Sequence, residues 1–89
     1  MEEWPHKDPD EIIDYGINWE KDLQSDSIIT STWITPVGLT VDSDSVINKT
    51  TIIWLSGGVL GSTYELTNRI TTSDGRTMDK TVRLRIMHR

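Results

Sequence analysis

Few side chains in this 89-residue chain have the type and spacing that chemistry needs, and each group that comes near lacks a part. Asp42-Ser43-Asp44-Ser45 alternates oxygen ligands as a calcium loop does, but it has no glycine turn and no distal bidentate Glu. Ser56-Gly57-Gly58-Val59-Leu60-Gly61-Ser62 is rich in glycine, yet it neither leads from a strand into a helix nor ends in Gly-Lys-Ser/Thr. Its glycines are therefore expected to supply positive φ or close packing, not a phosphate cradle. His6 and His88 lie in opposite tails, away from metal-ligand spacing, and they are the only histidines that could activate a serine. Cysteine is absent, which removes disulfides and thiolate metal sites. Asn48-Lys49-Thr50 matches a glycosylation sequon, which has meaning only in a secreted protein. The expectation is a non-enzymatic chain that needs no cofactor and no metal.

Contact chemistry is better represented. Arg69, Arg83 and Arg85 fall on one side of the strand pattern near the C-terminus, where their planar forks suit carboxylates. Trp4 stands alone in a polar segment; it either tucks back onto its own domain or anchors a partner, as Trp often does at hot spots. The expected partner-binding residues are thus Trp4, Arg69, Arg83 and Arg85. Net charge is −5, which argues against a nucleic-acid binder, since phosphate binding needs a basic face. The charge is also polarised: residues 1–26 carry nine acids against Lys7 and Lys21, while residues 69–89 carry six Lys and Arg against Asp74 and Asp79. Two readings follow. In one, the ends are adjacent strands that neutralise each other, the arginines balancing Asp14, Asn18 and Glu20. Alternatively, acidic and basic surfaces of successive copies meet in an assembly.

The elements that must position these residues are strands. In 63–86, Tyr64, Leu66, Ile70, Val82, Leu84 and Ile86 share one face while Glu65, Thr67, Arg69, Arg83 and Arg85 share the other. A tight turn at Asp74-Gly75 joins the two runs into a hairpin. Ile13, Tyr15, Ile17 and Trp19 alternate with polar residues in another strand, and Gly16 with paired β-branched residues disfavours a helix there. Ile29, Ser31 and Trp33 mark a strand that stops at Pro36; Leu39 and Val41 begin the next, and Thr50 to Leu55 form one more. Trp19, Trp33 and Trp54 are expected in the core. Twelve Thr and many Ile and Val favour such a pattern, and no apolar run approaches the ~20 residues of a membrane helix. Residues 1–10, with Pro5 and Pro9, read as an extended acidic arm, mobile until it meets a neighbour, and 11–89 as a single β domain. The short acidic start is unlike a signal peptide.

Six to seven short strands punctuated by turns predict an all-β, immunoglobulin-like antiparallel β-sandwich. Two residues favour that version. Trp33 is central in what would be the third strand, where such sandwiches bury a Trp. Tyr64 begins the penultimate strand two residues before inward-facing Leu66, the placement of a tyrosine corner.

The residues also resemble a family. Asp8-Pro9-Asp10-Glu11 with Ile13-Asp14-Tyr15 and Trp19, Ser31-Thr32-Trp33 with Pro36-Gly38-Leu39, and Trp54-Leu55-Ser56-Gly57-Gly58 resemble small structural proteins of tailed bacteriophages. The closest likeness is Tyr64-Glu65-Leu66-Thr67-Asn68-Arg69-Ile70-Thr71-Thr72 with Gly75-Arg76-Thr77 and Arg83-Leu84-Arg85. Over about residues 8 to 86 the chain is similar to fibre–tail adaptor and head–tail structural proteins. That resemblance implies an immunoglobulin-like virion component made in the host cytoplasm. It would join tail, neck or fibre proteins, with a homo-oligomer in the particle as one arrangement, and would have no nucleic-acid or membrane partner. The alternative is a glycan-binding or cell-surface recognition module of the same architecture, whose aromatic platform would come from Trp4, Trp19, Trp33 or Trp54.

Overall fold

In a computed structural model that describes residues 2–89, the chain forms seven strands and one helical turn. In order these are β1 (Glu2–Glu3), β2 (Ile13–Asn18), α1 (Glu20–Leu23), β3 (Ile28–Ile34), β4 (Leu39–Ile47), β5 (Thr50–Gly57), β6 (Thr63–Thr72) and β7 (Thr77–Arg85). One sheet has the order β1-β7-β6-β3 and the other β2-β5-β4. All pairings are antiparallel except β1 with β7, which is parallel. Disregarding β1, the third, sixth and seventh strands face the second, fifth and fourth, the division of an immunoglobulin-like sandwich. The fold is an all-β, immunoglobulin-like sandwich, as the strand pattern predicts.

The hairpin of β6 and β7 follows the expected alternation. Leu66, Ile70, Val82, Leu84 and Ile86 are buried, and Glu65, Arg69, Arg83 and Arg85 are exposed. Its turn differs in detail. Gly75 alone takes positive φ (+85°), with its N–H bonded to Thr72 O while Thr72 N–H returns to Arg76 O. This is a three-residue loop closed by a glycine, not a two-residue turn with both central residues left-handed. Trp33 packs against the core from β3 and is half-buried. Tyr64 accepts a hydrogen bond at its hydroxyl from Val59 N–H (3.0 Å), so the corner closes onto the backbone just upstream. Gly38 is needed beneath that ring: a Cβ there would stand 2.8 Å from the Tyr64 hydroxyl, and its φ of +110° already favours glycine.

Two expectations change. Trp54 is not core; it lies on the outer face of β5 and is 41% exposed, while Thr51, Ile53 and Leu55 point inward. Of the segment 1–10, residues 2–7 run along β7 and are not detached, and Pro9-Asp10 form a turn. Glu2 and Glu3 pair with Val82 and Arg83, and Trp4 N–H and Lys7 N–H bond the carbonyls of Arg83 and Arg85. Met1 lies outside the described residues. The prolines of this segment fit its position, since a strand at a sheet margin does not need every N–H.

Candidate functional site

The outer face of the β1-β7-β6-β3 sheet gathers the three arginines named from sequence, in unequal states. Arg69 on β6 faces Asp79 on β7 and grips it with Nε–Oδ1 at 2.9 Å and Nη2–Oδ2 at 3.0 Å. The pair holds the Asp79 carboxyl below, and the Arg69 guanidinium above, their ordinary pKa values. Arg83 reaches Glu3 on β1 only loosely, at 3.7 Å. Arg85 is exposed and has no side-chain ion pair or hydrogen bond among the described residues. Arg83 and Arg85 line a cleft of about 390 Å³ with Glu3, Trp4, His6 and Thr63. Around them the face is ruled by threonines, with hydroxyl contacts between Thr30 and Thr71 and between Thr67 and Thr81.

Trp4 is placed inside the fold. It is 6% exposed, stacks on Tyr15 at 4.6 Å with rings 8° apart, and tilts against Trp33 at 5.9 Å. The Tyr15 hydroxyl donates to Pro5 O (2.9 Å) and fixes the same segment from the other sheet; burial, with Glu11 nearby, pushes that phenol up to about 12. The indole N–H groups of Trp4 and Trp33 are buried and have no partner among the described residues. Trp19 is buried as well, so of the four tryptophans only Trp54 offers much ring surface, between Asp14 and Ser43 of the flanking strands.

The polarised charge is largely consumed within the chain. Arg76 pairs with Asp26 (2.9 Å), Lys80 with Asp22 (2.6 Å) and Arg89 with Glu11 (3.6 Å). Lys80 also sits 4.8 Å over the Trp19 ring. Asp14 and Asn18 do not balance the arginines, because β2 belongs to the other sheet.

Three polar residues that the sequence reading passed over organise the interior. Asp26 Oδ1 accepts from the Ser73 hydroxyl (2.6 Å), Ser27 N–H (2.8 Å) and Asp74 N–H (3.1 Å), and Oδ2 from Arg76 Nε (3.1 Å) and Nη2 (2.9 Å). Burial alone would raise this carboxyl; the hydrogen bonds from Ser73, Thr72, Arg76 and Ser27 overcome that and hold it well below the usual range. Asn68 joins the sheets: its Oδ1 accepts from Trp19 Nε1 (3.0 Å) and Thr51 Oγ1 (2.7 Å), and its Nδ2 donates to Ser31 Oγ (2.9 Å) and Thr32 O (3.2 Å). Lys7 is fully buried and donates through Nζ to Gly57 O (2.7 Å) and Asp8 O (2.9 Å). Burial pulls its pKa down, against the opposing field of Glu11, Asp8, Asp10 and Asp42. One signal in the sequence marks Asn68, a polar residue in phase with inward Leu66 and Ile70.

Asp42 to Ser45 lie exposed on β4, and the described residues contain no group of three or more His, Cys, Asp or Glu placed to hold a metal ion. The glycines of the β5–β6 connection serve packing: Gly57 and Gly58 take positive φ, and a Cβ on Gly58 would meet Ile86 at 2.7 Å.

No curated protein matches the sequence. A family model described as podophage GP4 fiber-tail adaptor protein gp77 matches residues 7–85, from the buried lysine to the last residue of β7. With nearly the whole sandwich inside that match, the chain belongs to the podophage fiber-tail adaptor family.

Proposed function

We propose that this adaptor is a non-enzymatic joint between neighbouring tail, neck or fibre proteins, and that its arginine-bearing sheet face makes one of the contacts. Family membership supports the structural adaptor role. The contact is carried by the state of Arg85: an exposed guanidinium without a side-chain partner among the described residues, on a rigid central strand pair beside a cleft. A planar cation held on a strand is pre-organised to take a carboxylate in two parallel hydrogen bonds. Arg83 adds a second cation that its distant Glu3 leaves available, whereas Arg69 is committed to Asp79.

Replacing Arg83 and Arg85 together with Ser tests the reading. Exposed ion pairs contribute about 0–1 kcal/mol, so the melting temperature should stay within about 8 °C of wild type. Incorporation into particles should fall sharply. Particles that carry the double variant at wild-type copy number would sink the proposal.

A further inference from the structure

The two sheets do not end together. Trp4 stacked on Tyr15 sets the β1 side of one sheet over the β2 side of the other, so β3 and β4 are the edge strands of the opposite margin. There the core side of β4 is exposed. Val41, Asp44 and Val46 pair across β4–β5 with inward-pointing Leu55, Ile53 and Thr51, and so share the core side of the sheet. Yet all three are exposed, Val41 by 39% and Val46 by 41%. They are core-side residues that the described residues cover only in part.

The neighbouring edge is ready to extend. Thr72 N–H bonds Arg76 O, so alternate residues of β6 from Thr72 back turn to β7, and Thr71, Arg69 and Thr67 turn to β3. Their partners Thr30, Thr32 and Ile34 therefore bond β6, while Ser31 and Trp33 direct their main-chain N–H and C=O outward. None of the seven residues of β3 is charged or proline, and its one register shift, between Ile28 and Thr30, lies before Ser31 and Trp33. A strand laid on β3 would stand about 4.8 Å further out, over Val41, Asp44 and Val46.

We propose that this margin receives an extended strand from another protein, one that turns aliphatic side chains toward Val41 and Val46 and a Lys or Arg toward Asp44. The proposal rests on the adaptor reading for its setting but not on the arginine face. A second copy of the chain does not meet the same need, because no basic residue occurs between Lys21 and Lys49, the stretch that holds both β3 and β4. Pairing two such edges would enclose Asp44 without a cation.

A peptide that matches the seven residues of β3 in length, Thr at alternate positions and Val, Lys, Val between them, is the probe. It should slow amide hydrogen exchange at Ser31 and Trp33, and bind about tenfold more tightly than the same peptide with Glu for Lys. Asp44→Lys should reverse that preference, and the Arg83→Ser, Arg85→Ser double variant should leave it unchanged. A failed incorporation test for the arginines therefore does not touch this result. No protection at β3 under saturating peptide, equal affinity for both peptides, or protection of Ser31 and Trp33 that grows with concentration of the chain alone would each overturn it.

Discussion

The two lateral margins of the sandwich solve the same problem in opposite ways. At the β1/β2 margin the chain uses its own N-terminal segment as a seal: Trp4 fills the gap over Tyr15, Pro5 O takes the tyrosine hydroxyl, and Lys7 spans from β7 to Gly57 O. At the β3/β4 margin no segment among the described residues does this, and Val41 and Val46 stay partly in water. The comparison teaches that an edge is not left open for want of means. The chain spends a tryptophan and a buried lysine on one margin and nothing comparable on the other.

Breaking the sealed margin should cost most. Trp4→Ala removes a buried ring with two aromatic neighbours and is expected to destabilise by about 3–5 kcal/mol in denaturant unfolding. A loss below ~1 kcal/mol would mean that the segment is not part of the folded core. Trp33→Ala, at the open side and only half-buried, should cost roughly half as much, about 1.5–2.5 kcal/mol. Equal losses at the two sites would erase the contrast.

Asp26 gives a subtler probe, since it ties the entry of β3 to the β6–β7 turn. Asp26→Asn keeps an acceptor but loses the charge on Arg76. A carboxyl whose folded pKa is depressed contributes its full stability above the unfolded value and loses it as pH falls through the folded one. The wild-type advantage over Asn should thus be constant near neutrality and shrink only below the usual carboxylate range. An advantage that disappears already at pH 6 would contradict the geometry of this cluster. The smallest effect is expected at the open margin. Val46→Thr, at a half-wet position, should change stability by less than about 0.5 kcal/mol, and a larger loss in the isolated chain would show that the margin is already covered.

Much of the fold was legible because it rests on period-two patterning. Tyr64 to Ile86 alternates cleanly, and Trp33 and Tyr64 take the places that a sandwich of this kind gives them. Trp54 was misplaced because Ile52-Ile53-Trp54-Leu55 is apolar on both faces, so alternation has no phase there. The N-terminal segment was read as loose because its binding depends on β7, a partner that local pattern does not reveal. Lys7 and Asp26 were missed for a related reason: a charged residue in a polar stretch looks solvated until distant carbonyls and an arginine surround it. Of the candidate site, the sequence singled out the arginine face. Only geometry separates Arg69, held by Asp79, from Arg85, which is not.

The parallel pairing of β1 with β7 also has a meaning in time. Glu2 pairs with Val82, eighty positions along the chain, and Met87 N–H closes onto Lys7 O. Contacts between residues so far apart form late, because a long loop must lose its freedom before they yield any energy. During synthesis Trp4 and Tyr15 emerge early and wait, exposed, until the residues of β7 have been made. The sealed margin therefore cannot close before β7 has been made, and until then Trp4 and Tyr15 lack the strand that holds them together.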